Sequence, residues 1–332
     1  IIPESKKAVI TDNRTVTLDC SGEVEIQSGG NLLLKGDSYL KGGKLSGGGD
    51  IRISGSGING LIWQGGNIEG SGTLILESGS QLAIGQNNPK VLARPVTNNG
   101  WIRLNAGELN LTGGITGGLG EIYVSNNAHL IFEKEDYSIG GKFTNNGNVT
   151  ILDEASVSFD AVHGSGVGYE QSSTGTLTLK AWGAGPDEYC RLVVSGEAKL
   201  DGRLEIDFTG DYEPQTGDTF AIMTCGSRTG EFSEIASTKP GISFTAAYTA
   251  TGLSLTVSDA PPKVWEAANA DDLENALNNF KSGDTIKLTG DINYNNGIVI
   301  DGKDITFDTD SYTLNVYNDT GSSPGTGLEV KN

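Results

Sequence analysis

Few residues in this chain have the type and spacing for chemistry. Asp308 and Asp310 lie two apart, and on a strand alternate residues share a face, so the pair is a candidate calcium site. Solvated carboxylates on an outer face are the plainer reading of the same residues. The 3 cysteines show no Cys-x-x-Cys or Cys/His spacing, which argues against zinc. Cys190 and Cys225 each flank a strand-like run and could form a disulfide in an oxidising compartment, or stay as buried thiols, with Cys20 left over. His129 and His163 are the only histidines, and neither shows a readable serine–carboxylate arrangement. His163-Gly164-Ser165-Gly166 lacks the strand–turn–helix setting of a nucleophile elbow. Gly117-Gly118-Leu119-Gly120 is followed by no Lys-Ser/Thr and is no phosphate loop. Trp63, Trp101, Tyr123, Tyr169 and Trp182 could stack on sugar rings if exposed in a row, with Trp101 and Trp182 as the candidates. At two of the five positions the inward alternation points to the core instead. The sequons at Asn13, Asn110, Asn148 and Asn318 read as polar turns.

The elements that would position these residues are short strands. Ile51 and Ile53 flank Arg52, and Leu74 with Leu76 and Leu82 with Ile84 repeat the alternation. Leu18, Ile26 and Leu34 stand eight apart, as do Ile68, Leu76 and Ile84. Glycine steps fall between the pairs, where corners need positive φ. The chain has 49 glycines in 332 residues, roughly twice the usual share. Inward runs of only two or three residues, separated by frequent corners, suit a solenoid better than a meander of hairpins, and the eight-residue spacing is taken as the coil repeat. TNNGWIRL (97–104) and TNNGNVTI (144–151) are the clearest internal echo, with asparagine placed to satisfy backbone groups at a corner.

The predicted fold class is all-β: a parallel β-solenoid (a right-handed β-helix), then a linker and the helix-capped start of a second β-solenoid. Residues 1–182 form the glycine-rich coils and 183–257 the closing strands, since an open solenoid end exposes unpaired edges. Residues 258–263 form a stiff two-proline linker. In 264–332 one helix is predicted at about 270–280, from Asn269 as N-cap, Asp271 and Asp272 in the first turn, and an apolar stripe of Leu273, Ala276, Leu277 and Phe280. The run ending at Asn332 is itself strand-like, and a fragment of a longer protein is expected. The formal charge of −19 disfavours nucleic acid and anionic membranes, and no stretch is apolar enough to span a bilayer as a helix.

IWQGGNIEGSGTLILESGSQLAI, with the two TNNG segments, resembles the glycine-rich repeats of bacterial secreted β-solenoid surface proteins, the adhesins and autotransporter passenger-like exoproteins. The run RLEIDFTGDYEPQTGDTFAIMTC resembles the segment that commonly follows such repeats. Leu273, Ala276, Leu277 and Gly283-Asp284-Thr285-Ile286 resemble the opening of a pectate-lyase-like right-handed β-helix. The resemblance implies an extracellular or cell-surface location and a non-enzymatic structural or adhesive role, as a stalk or self-assembling fibre component. Its partners would be itself, head to tail or laterally, or host or cell-surface glycans or proteins. No cofactor is expected beyond possible calcium. The rival expectation is a polysaccharide lyase or hydrolase, or a carbohydrate-binding protein, on the same scaffold. A lyase would need a Lys or Arg base beside calcium carboxylates, and residues 264–332 offer as cations only Lys281, Lys287, Lys303 and Lys331.

Overall fold

The computed structural model describes residues 1–55, 60–133, 136–152, 155–160, 166–259, 262–317 and 327–331. His163, the second linker proline and Asn318 lie outside the described residues. The chain divides into two compact units, Ile1–Ser258 and Asp259–Asn332.

Period-two alternation builds the first unit directly. Each strand turns one set of side chains inward, and every third strand pairs in parallel with the strand one coil below. Glu23–Ile26, Asn31–Lys35 and Ser38–Leu40 occupy three successive faces. Their partners in the next coil are Lys44–Ser46, Asp50–Ser54 and Gly60–Trp63. The first face alone stacks 11 strands. The unit is a three-sided parallel β-solenoid.

The eight-residue spacing measures a side of the coil, which corrects its reading as the coil repeat. Ile68, Leu76 and Ile84 sit on three successive faces of one coil. The coil repeat is seen in the register: Glu23 pairs with Lys44 and Lys44 with Asn67, advances of 21 and 23 residues. Later coils lengthen, since Asn148 pairs with Thr176 and Arg203 with Glu234, advances of 28 and 31. The extra residues sit in corners, because the strands keep their inward rungs.

The interior is one continuous apolar column. Aliphatic rungs such as Leu32, Ile51 and Leu74 fill the early coils. Further along, Phe132, Phe143, Phe159 and Tyr169 interlock, with Phe143 and Tyr169 stacked 5.7 Å apart. The two TNNG corners share one device. The Asn98 side-chain oxygen accepts from the Gly100 N–H at 3.1 Å, and Asn145 does the same for Gly147 at 3.0 Å. Each amide nitrogen then donates to a carbonyl of the next coil, Glu121 or Thr176. Gln171, in register with Asn145, continues that corner by donating to Gly175, Asp201 and Arg203 carbonyls. Buried amides therefore close backbone groups that the corner leaves unpaired, as burial requires.

The parallel stacks continue past Trp182. Arg203–Phe208 pairs with Thr176–Ala181, and Thr219–Gly230 pairs in parallel with Leu192–Leu200. The pattern changes at Gly252–Asp259, which runs antiparallel against Thr219–Gly230. Reversed direction at the last strand covers an edge that another parallel coil would otherwise claim.

The second unit opens with the strand Val264–Ala267 and the helix Ala270–Asn279. The Asn269 side chain caps the helix by accepting from the Asp272 N–H at 3.0 Å, while the Asp272 carboxylate accepts from the Ala268 N–H at 3.1 Å. Leu273, Ala276 and Phe280 are buried against the strands that follow. Those strands again stack every third one: Thr285–Leu288 on Thr306–Asp308, Ile292–Tyr294 on Leu314–Val316, and Ile298–Asp301 on Leu328–Lys331.

Candidate functional site

The sequence-derived candidates do not converge. Asp308 ends the strand Thr306–Asp308, while Asp310 lies in the turn beyond it with φ +45°. The two therefore do not share a strand face, contrary to the alternation argument. Asp308 Oδ1 accepts from the Asp310 N–H at 3.1 Å, so this carboxylate shapes the turn. Among the described residues no group of three His, Cys, Asp or Glu is placed to hold a metal.

The proposed Cys190–Cys225 disulfide is corrected too: no bond joins these residues. Cys225 sits opposite Val194, four residues beyond Cys190. An extended chain makes that offset roughly 13 Å, past the ~7 Å Cα limit for a disulfide. The Cys190 thiol is turned instead toward the Leu152 carbonyl, 3.2 Å away.

The aromatic row dissolves as well. Trp63 and Tyr169 are core residues with 0% exposure. The Tyr123 hydroxyl accepts from Asn146 Nδ2 at 2.9 Å. Trp101 lies half-buried on the third face, in register with Gln81 and Glu121. Trp182 stands elsewhere, at the root of the loop after Thr176–Ala181. There a hollow of about 430 Å³ is lined by Trp182, Pro186, Asp187, Tyr189, Arg191 and Val193, among others.

A second arrangement was invisible in the sequence. Stacking places Glu108, His129 and Asn148 in one outward column of the first face. His129 Nδ1 is 3.5 Å from Glu108 Oε2, and Nε2 is 2.9 Å from Thr150 Oγ1. Beside them runs an open groove of about 660 Å³ lined by Asn87, Asn126 and Asn127. A hydroxyl, an imidazole and a carboxylate in this order have the connectivity of a nucleophile, a base and its orienting group. Acyl transfer also needs preorganised donors aimed at an oxyanion. The strand N–H groups here are spent on the coil-to-coil ladder, which lies in the plane of the sheet. The column acts as a cross-coil polar ladder.

Burial holds the His129 imidazole below its ordinary pKa of 6.5, against the opposing pull of the Glu108 carboxylate. The unfolded chain then binds a proton first, so this residue costs stability as pH falls below about 6.5. Unfolding midpoints at pH 7.5 and 5.5 should show a larger loss for the native chain than for His129→Gln. Equal losses would show that the imidazole contributes nothing.

The same face carries ion-pair rungs elsewhere. Lys7 meets Glu25 at 2.6 Å, Lys44 meets Glu69 at 2.6 Å, and Arg203 bridges Glu205 and Glu234. Such exposed pairs contribute about 0–1 kcal/mol each and fix neighbouring coils in register more than they stabilise. The fold is that of a parallel β-solenoid followed by a smaller helix-led solenoid unit. Compared with known proteins, the chain matches no family model, and no curated protein matches it.

Proposed function

We propose that this chain is a non-enzymatic structural or adhesive protein of the extracellular or cell-surface space, a stalk or fibre component built from stacked coils. The observation that supports this reading most is the closure of the outward columns. Lysine–glutamate rungs, the Glu108–His129–Thr150 ladder and the amide corners all use their functional groups to bind one coil to the next. Side chains spent in this way serve length and register rather than turnover. The extracellular placement rests on the resemblance of the glycine-rich repeats alone.

Sedimentation velocity and negative-stain microscopy across a hundredfold range of protein concentration test the assembly version. End-to-end or side-by-side association that grows with concentration is expected, and particles that stay single throughout would overturn it. The rival lyase or hydrolase reading predicts new reducing or unsaturated ends when the chain is incubated with acidic polysaccharide and calcium. Such product release, abolished by Asp308→Ala, would replace the scaffold reading.

A further inference from the structure

We propose that the hollow at Trp182 is a binding site for one ring of a neutral saccharide. The inference rests on the adhesive reading only for the origin of that saccharide, at a cell or matrix surface. The loop that forms the hollow is rigid by construction. The Trp182 and Gly183 N–H groups both donate to the Glu188 carbonyl, at 2.8 and 3.1 Å. The Cys190 N–H donates to the Lys180 carbonyl at 2.8 Å, and Tyr189 bridges antiparallel to Ala181. The Glu188 carboxylate folds back to accept from the Gly185 N–H at 2.9 Å, which closes the turn from inside. The loop thus reverses tightly onto the strand that precedes it, and the ligand would pay little to order it.

The groups presented there are of two kinds. Trp182 is half-buried, and among the described residues its indole N–H has no hydrogen-bond partner. Tyr189 stands edge-on to Phe220 with ring centroids 5.3 Å apart, and its hydroxyl accepts from the Ala221 N–H at 3.2 Å. These contacts fix the tyrosine ring. Arg191 lies over that ring, 5.2 Å from its centroid, which holds the guanidinium at the mouth of the hollow. Asp187 meets Arg191 at 3.4 Å, with the aspartate side chain 98% exposed. Val193, 44% exposed, completes an apolar wall.

Aromatic surface next to a donor fork and an acceptor suits a ligand with an apolar ring face and a rim of hydroxyls. Charge selects among such ligands. One cation and one anion face the hollow together, so neither a uronate nor an amino sugar cation gains from it. The chain's net charge of −19 further disfavours an anion. An entirely apolar ligand would strip water from the Arg191–Asp187 pair and return no hydrogen bonds. The volume of about 430 Å³ falls within the range of small-ligand sites.

The test titrates the full chain with cellohexaose, mannohexaose, chitohexaose and hexagalacturonate, read by calorimetry and by tryptophan fluorescence. Saturable binding of at least one of the three neutral hexasaccharides is expected, with Kd near or below about 1 mM. Trp182→Ala should weaken it at least tenfold and Trp182→Tyr should restore most of it. Asp187→Ala, at a side chain exposed to solvent, should weaken it about threefold with the fold untouched, and Trp101→Ala should leave it unchanged. Circular dichroism and melting curves identify any variant that fails to fold. The proposal is overturned if no neutral hexasaccharide binds at about 10 mM, if hexagalacturonate binds better than all three, or if Trp182→Ala and Asp187→Ala both bind as the native chain does. Concentration-dependent assembly without saccharide binding would retain the scaffold reading and remove this one.

Discussion

Replacing Trp63 by alanine is expected to destabilise the first unit by about 3–5 kcal/mol. Trp63 is fully buried, in register with Leu40 below and Ile84 above. Its indole N–H donates to the carbonyls of Gly65 and Gly66, at 3.1 and 3.0 Å. One side chain thus fills the column and also anchors the corner that follows it. That corner cannot adapt easily. Gly66 has φ +79°, and a Cβ there would meet the Gly43 carbonyl at 2.0 Å, so successive corners already touch backbone to backbone. A narrow core has no second layer to collapse into the space, which places the cost toward the upper end of the range. Trp63→Phe keeps part of the volume and loses the two hydrogen bonds, so it should cost roughly half as much. Urea unfolding followed by far-ultraviolet circular dichroism measures both. An alanine variant within 0.5 kcal/mol of the native chain would mean that this rung carries no special load.

What the sequence made legible follows from which interactions are local. Alternation fixes which side chains point inward, so Ile51, Ile53, Leu74 and Leu76 could be assigned to the core and are found there. Asn269 and the stripe of Leu273, Ala276 and Phe280 place the helix, because caps and stripes act within a few residues. Coil length is a different quantity. It depends on how many residues each corner absorbs, and corners of 28- and 31-residue coils carry no periodic mark. Everything set by coil-to-coil register was therefore hidden. Glu108, His129 and Thr150 meet only because two successive coils advance by 21 and 19 residues. The proposed disulfide failed for the same reason, since register sets Cys225 opposite Val194.

Two buried cations show a further limit. Lys90 and Arg94 have almost no exposure, although their types read as surface. Arg94 donates to the carbonyls of Gly47 and Glu69, at 2.9 and 3.1 Å, and so ties its own corner to the two coils below. Burial pushes its guanidinium down to about 10, with Asp50 opposing. The glycines of those corners leave carbonyls that only a long donor can reach. Glycine and arginine make sense together once the coils are stacked, and neither announces the other along the chain.

Replacing Asp284 by alanine should destabilise the second unit by about 3 kcal/mol and should remove its loss of stability in acid. Asp284 is buried at the start of the strand Thr285–Leu288. One carboxylate oxygen accepts from the Lys263 N–H at 2.7 Å. The other accepts from the Trp265 indole and the Lys281 N–H, both at 2.9 Å. This side chain therefore joins the first strand, the end of the helix and the second strand, and its loss strands three donors. Burial alone would raise its pKa, but these hydrogen bonds, with the Lys263 charge, outweigh burial and hold the carboxyl below the usual carboxylate range. The unfolded chain then takes up the proton first. The stabilisation is complete above about pH 4 and is lost as pH falls through the folded-state value. Hydrogen exchange read by mass spectrometry over 262–317 follows this unit separately from the first. Faster exchange is expected in Asp284→Ala at pH 6, with less further acceleration between pH 5 and 3 than in the native chain, after correction for intrinsic rates. If the variant exchanges as slowly as the native chain at pH 6, the three bonds do not hold the unit closed, and the Gly283-Asp284-Thr285-Ile286 step owes its form to the turn alone.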